Sequence, residues 1–113
     1  MTDDPATTNP DLYRVVMEND RVRVLEYRDR PGDRTTLHGH PDSVMITMSS
    51  FRRRLVRGDQ EAEVELAAGA VRWLDAQEHI GENIGETDTR SFFVELKDPA
   101  EAPSSARLGP TDR

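Results

Sequence analysis

The stretch Gly32-Asp33-Arg34-Thr35-Thr36-Leu37-His38-Gly39-His40 ends in two histidines separated by one residue. It follows the turn signal Arg30-Pro31-Gly32-Asp33, and Pro41-Asp42 breaks the chain directly after it. Residues 35–40 therefore read as extended. Side chains of an extended segment alternate between faces, so His38 and His40 leave the same face. The sequence holds three histidines in all, and the third, His79, opens a later strand-like segment. Imidazole nitrogen ligates zinc, iron, nickel and copper. Two ligands from one strand and a third from a neighbouring strand form a facial set, which leaves other coordination positions open.

Outward from this stretch the chain is a series of short strands and turns. Residues 12–17 are apolar and β-branched, and Glu18-Asn19-Asp20 turns the chain. Residues 21–28 alternate, with Val22 and Val24 on one face. Residues 43–49 carry Val44, Ile46 and Met48 at period two. Residues 51–57 close at Gly58-Asp59, and residues 61–66 alternate charge with Ala62, Val64 and Leu66. Ala67-Ala68-Gly69 turns the chain again, before residues 70–74 and 79–84. Gly85-Glu86-Thr87-Asp88 leads into residues 89–97. Turns recur about every 8–12 residues and no segment sustains helical periodicity, which is the pattern of an all-β sandwich or barrel.

A length of 113 residues suits one domain. Residues 1–11, rich in Thr, Asp and Pro, read as a flexible leader, and residues 12–97 as the domain. Residues 98–113, with Pro99, Pro103, Ser104, Ser105, Gly109 and Pro110, read as a disordered tail. The net charge of −7 argues against a nucleic acid or an anionic membrane as partner, since both need clustered cations. The local run Arg52, Arg53, Arg54 and Arg57 reads as solvated strand residues. The absence of cysteine excludes disulfides, thiolate metal sites and a cysteine nucleophile. Met1-Thr2-Asp3-Asp4-Pro5 has no signal-peptide character, and no apolar run approaches the roughly 18 residues of a membrane span. A cytoplasmic location is the expectation. No nucleophile triad, phosphate loop or dinucleotide fingerprint is present, so a bound metal would have to carry any reaction.

The opening stretch, a glycine, five residues and His-x-His, resembles the first cupin motif. Gly69-Ala70-Val71-Arg72-Trp73-Leu74-Asp75-Ala76-Gln77-Glu78-His79-Ile80-Gly81-Glu82-Asn83 is similar to the second, ending in His-x3-Asn. Glu18-Asn19-Asp20-Arg21-Val22-Arg23-Val24 and Glu82-Asn83-Ile84-Gly85 also resemble small single-domain bacterial cupins. The likeness covers residues 12–97. It implies a cupin jelly-roll β-barrel, one divalent metal ion on His38, His40 and His79, a small-molecule substrate and a homodimer. Cupins usually carry a Glu three or four residues after the second histidine, but here Pro41-Asp42-Ser43 is followed by Val44. Asp75 and Gln77 stand where the second motif has Pro and Gly, and His79 comes one residue early. The missing carboxylate makes the site resemble that of the three-histidine cupin dioxygenases.

If His38 and His40 face inward, so does Thr36. On the next strand Val44, Ile46 and Met48 are expected inward, with Asn83 below His79, Phe92, Val94 and Leu96 on the last strand, and Trp73 as a wall. The pocket is then small and mostly apolar. Alternation does not decide whether Glu26 or Tyr27 faces in. The resemblance implies an iron(II)-dependent dioxygenase acting on a small organic substrate. A non-redox isomerase, cyclase or lyase using zinc, nickel or manganese, and a non-catalytic binding module, both stay open.

Overall fold

The structure is a computed structural model that describes residues 4–97 and 108–111. A helical turn, α1 (Pro5–Thr8), precedes nine strands: β1 (Tyr13–Glu18), β2 (Val22–Asp29), β3 (His38–His40), β4 (Ser43–Thr47), β5 (Phe51–Arg57), β6 (Gln60–Leu66), β7 (Val71–Leu74), β8 (Gln77–Asn83) and β9 (Thr89–Leu96). Turn chemistry places them. Asn19 Oδ1 accepts the backbone N–H groups of Arg21 (2.8 Å) and Val22 (3.0 Å), which fixes the β1–β2 corner. Gly58 supplies a φ of 57° at the first loop position of the β5–β6 hairpin, where a two-residue loop favours glycine.

The strands form two antiparallel sheets, one ordered β1-β2-β9-β4-β7 and the other β3-β8-β5-β6. The all-β expectation is met, with the described strands arranged in two sheets. Between them lies the core of Tyr13, Leu25, Tyr27, Met45, Phe51, Leu74 and Phe93. No described helix is long and apolar enough to cross a membrane.

The face assignment of the larger sheet differs from the sequence expectation. Ser43, Met45 and Thr47 of β4, and Ser91, Phe93 and Glu95 of β9, are buried. Val44, Ile46, Phe92, Val94 and Leu96 therefore face outward, and Met48 lies exposed beyond β4. Cross-strand register aligns Val24, Val94, Val44 and Trp73 in one outer row. Phe92, Ile46 and Val71 make a second row. The inner face spends positions on Ser, Thr and Glu while the outer face is the more apolar, so hydrophobic alternation pointed the wrong way.

A charged network replaces apolar packing at one point of the interior. Arg53 donates to Asp29 Oδ2 (2.6 Å) and to the Tyr27 hydroxyl (2.9 Å), and its guanidinium lies over the Tyr27 ring at 4.9 Å. Tyr27 itself donates to Asp29, and Asn83 Nδ2 donates to Asp29 Oδ1 at 3.0 Å. The buried charge is tolerated because each member is paired. Gly81 makes room for it: a Cβ there would stand 3.0 Å from Arg53 Nη2. The other arginines of the basic run are also engaged, Arg52 with Glu63 and Arg54 with Glu61 and Glu82.

Both ends are more ordered than their composition suggested, where the structure describes them. Asp4 caps α1 by accepting the Ala6 N–H, Pro5 is buried, and Asn9 Oδ1 accepts the Thr36 N–H at 2.9 Å. Asp4, Pro5 and Asn9 thus tie this segment to the domain, while Thr7, Pro10 and Asp11 are exposed. Residues 98–107 of the expected disordered tail lie outside the described residues. Residues 108–111 return to the domain, where Thr111 and Trp73 exchange two backbone hydrogen bonds (2.6 and 2.8 Å). β7 is an edge strand, and its unpaired backbone groups give the returning chain its partner.

Two outcomes follow from these contacts. Gly109 holds a φ of 87° and a Cβ there would meet Leu55 Cδ1 at 3.1 Å, so Gly109→Ala lowers stability by about 1–2 kcal/mol in denaturant unfolding. Glu26, held by Arg14 and then Arg90, has its carboxyl lowered to about 2. A depressed carboxyl stabilises above its unfolded value, roughly 4.3, and loses that contribution as pH falls towards about 2. Wild type is therefore more stable than Glu26→Gln at neutral pH. The gap closes in acid, as paired thermal melts across that range will show.

Candidate metal centre

β3 is only three residues long, but its register with β8 sets the site: His38 pairs with His79, Gly39 with Glu78 and His40 with Gln77. Directly opposed residues share a face, so alternation on β3 and pairing across to β8 bring all three imidazoles to one place. Each is buried, and their nearest ligand atoms all lie within 4.8 Å of one another. His38 Nε2 and His40 Nε2 are 3.0 Å apart. Two nitrogens about 2.1 Å from one ion, at right angles, are separated by about 3.0 Å.

The outer nitrogens are held in place. His38 Nδ1–H donates to the Thr36 carbonyl at 2.8 Å, and His79 Nδ1–H donates to Gln77 Oε1 at 2.9 Å. These bonds leave the Nε2 lone pairs facing the centre. Gln77 Oε1 also accepts the Gly109 N–H at 2.9 Å, so the returning chain is tied to the orientation of His79. Burial is the main reason that all three imidazoles are held below their ordinary pKa, His40 and His79 far below it, and they are neutral ligands at pH 7.

His40 supplies the test of whether a cation fits. Its Nδ1 and Glu95 Oε2 are both buried without a hydrogen bond, yet they face each other at 3.5 Å. If neutral His40 carries its proton on Nε2, it competes with the Tyr13 hydroxyl for the one His38 Nε2 lone pair and turns its own Nδ1 lone pair towards the Glu95 carboxylate. If it carries the proton on Nδ1, that clash is relieved, but two Nε2 lone pairs meet at 3.0 Å. One positive charge is lacking in either form. A proton on Glu95 could supply it; burial raises the Glu95 carboxyl, while Arg23, at 2.7 Å, opposes protonation. A cation between the Nε2 atoms relieves both contacts and leaves His40 Nδ1–H to Glu95, the carboxylate–histidine arrangement of metal sites. The donor set fits a divalent ion held by His38, His40 and His79.

The remaining expected pocket residues are elsewhere. The Thr36 side chain is exposed and bonds Asn9, and only the Thr36 carbonyl serves the site. Trp73 sends its indole N–H to Asp75 at 2.8 Å. Asn83 is buried but bonds Asp29 and the Thr87 carbonyl. Phe92 lies outside beneath the Arg90 guanidinium, in the same outer layer as Val44, Ile46 and the exposed Met48. The cavity beside the histidines encloses about 40 Å³ and is lined instead by Tyr13, Met45, Phe51, Leu74 and Phe93. Phe93 stacks on His40 with ring centroids 5.1 Å apart.

Two residues were not singled out for the site by sequence reasoning. Glu95, placed outward by the apolar alternation of β9, is the acid behind His40. Tyr13 brings its hydroxyl to 3.3 Å from His38 Nε2, and burial keeps its phenol protonated well above the ordinary range. Of the acids close to the histidines in sequence, Asp42 accepts the Ala76 N–H, Glu82 pairs with Arg54, and Glu78 is exposed.

Comparison with solved structures places this fold among cupins. A cupin domain from Bordetella pertussis Tohama I is 27% identical, with a TM-score of 0.71 over 76% of this chain and 92% of that one. A cupin 2 conserved barrel domain protein from Salinispora arenicola is 22% identical, with a TM-score of 0.59 over 80% of each chain. The polyketide cyclase RemF from Streptomyces resistomycificus shares the fold at 19% identity, with a TM-score of 0.57 over 86% of this chain and 70% of that one. No protein-family model matches the chain, and no curated protein matches it significantly. The chain has the fold of a small single-domain cupin, with three histidines gathered in its interior.

The arrangement predicts a contrast between two carboxylate changes. Glu95→Gln weakens divalent metal binding by about 10–100-fold in a competition titration, because His40 loses its ionised partner. Val44→Glu, on the outer face, leaves metal affinity unchanged.

Proposed function

We propose that this chain is a metal-dependent cupin enzyme whose His38, His40 and His79 hold iron(II), and that it acts as a dioxygenase on a small organic substrate. The observation that supports this most is the convergence of three Nε2 donors with no carboxylate among them. When bound, iron(II) would supply dioxygen activation, with positions beyond the three imidazoles left open to ligands. The chain's own residues do the rest. Thr36, Gln77 and Glu95 orient the imidazoles from behind. Met45, Phe51, Leu74 and Phe93 keep the cavity apolar, and its volume of about 40 Å³ suits a few water-sized groups. A small ligand is therefore favoured over a bulky one.

A second reading is non-redox catalysis by zinc, nickel or manganese. It is favoured by the same donor chemistry: three neutral imidazoles leave the full divalent charge available to polarise a carbonyl. The expected homodimer belongs to this proposal too, supported by the apolar rows on the outer face of the larger sheet. Cytoplasmic location is likewise proposed on composition alone.

Elemental analysis of protein purified without chelator separates these readings. About one iron per chain, with oxygen uptake on screening diketones and thiols, supports the dioxygenase. About one zinc or nickel with anaerobic turnover supports the second reading. No metal after reconstitution overturns both. His38→Ala, His40→Ala and His79→Ala are each expected to lose stoichiometric metal, and full retention in any of them removes that residue from the site.

A further inference from the structure

Tyr13 opens β1 and is buried against the cluster, with ring centroids 5.4 Å from His38, 5.8 Å from His40 and 6.0 Å from Phe93. Among the described residues its hydroxyl makes one hydrogen bond, to His38 Nε2 at 3.3 Å. The direction of that bond is set from the far side of the ring. His38 Nδ1–H is given to the Thr36 carbonyl, so Nε2 is the acceptor and Tyr13 the donor.

An sp² ring nitrogen has one lone pair. The pair that accepts from Tyr13 is the pair that a metal ion takes, so loading the centre removes the acceptor of a buried hydroxyl. A buried donor without a partner is costly. We propose that Tyr13 then donates to an oxygen-donor anion bound at the loaded three-histidine centre, so that the phenol selects ligands carrying negative charge on the atom beside the metal. The inference rests on the metal reading of the site.

The surrounding charges agree with an anion. The three ligands are neutral, so a divalent ion brings two uncompensated positive charges. Glu95 stands behind His40 and is paired with Arg23, outside the ligand positions. Arg53, the buried cation of the cavity wall, is spent on Asp29 and Tyr27. Tyr13 is thus the donor already aimed at the cluster, and a charge-assisted hydrogen bond from it is short, directional and stronger than one to a neutral ligand. The neighbouring Tyr27 hydroxyl cannot substitute, since it is engaged by Arg53 and Asp29.

The test uses the full chain loaded with cobalt(II), with formate as the probe and the visible cobalt spectrum as readout. Wild type and Tyr13→Phe are expected to bind one cobalt each, with formate about 10-fold weaker in the variant. Equal formate affinity overturns the proposal. Loss of cobalt by Tyr13→Phe, in a variant that keeps the wild-type circular dichroism, also overturns it, because Tyr13 would then be a ligand. Failure of wild type itself to bind cobalt overturns the metal reading and this inference with it. Should Tyr13→Phe not fold, proton resonance of cobalt-loaded wild type decides. An exchangeable, paramagnetically shifted hydroxyl proton that moves on adding formate supports the role, and the lack of any such response overturns it.

Discussion

The pairing of His38 with His79 across β3 and β8 is the constraint on which the site depends. A strand of three residues contributes few ladder bonds of its own. Its position is fixed from several sides: Asn9 holds Thr36, Thr35 and Gly81 exchange hydrogen bonds, and Gln77 fastens His79 from behind. A slip of one residue would turn His38 and His40 to the other face and dissolve the cluster. The N-terminal segment and the returning residues 108–111 both bear on this register, and so belong to the site's architecture.

The interior is unusually polar for a domain of this size. Ser43, Thr47, Asn83, Ser91 and Glu95 are buried along with three histidines and the Arg53–Asp29 pair. Such groups cost stability unless paired; Thr47, Asn83, Arg53 and Asp29 are paired, while Ser43 Oγ and Ser91 Oγ have no hydrogen-bond partner among the described residues. The exceptions also include His40 Nδ1 and Glu95 Oε2, which face each other. That mismatch lies beside the converging nitrogens, and a cation at the centre resolves it. Stability and function meet there: the domain gives up apolar burial to build a preorganised donor set.

The outer face of the larger sheet carries the apolar residues of β4 and β9 that alternate with the buried polar ones. Val24, Val94, Val44 and Trp73 in register make a surface suited to burial against another body. The larger sheet thus carries polar groups beside the apolar core on its inner face and a half-buried apolar row on its outer face.

The sequence by itself determined the all-β class, the turns, all nine strands to within a few residues, and the three histidines as a set. Each rests on local chemistry: glycine and asparagine at corners, period-two alternation, and the identity of the only imidazoles. Only the tertiary structure decided which face of β4 and β9 is inside, because alternation says which residues share a face but not which face meets the other sheet. Both faces here carry hydrophobic side chains, so composition could not choose. The same ambiguity hid Glu95, and Tyr13 was hidden because its ring meets His38 only through pairings of β1, β2 and β9 that no local pattern encodes. Residues 108–111 read as tail for a related reason. Their order comes from the free edge of β7, a partner distant in sequence, and not from any propensity of their own.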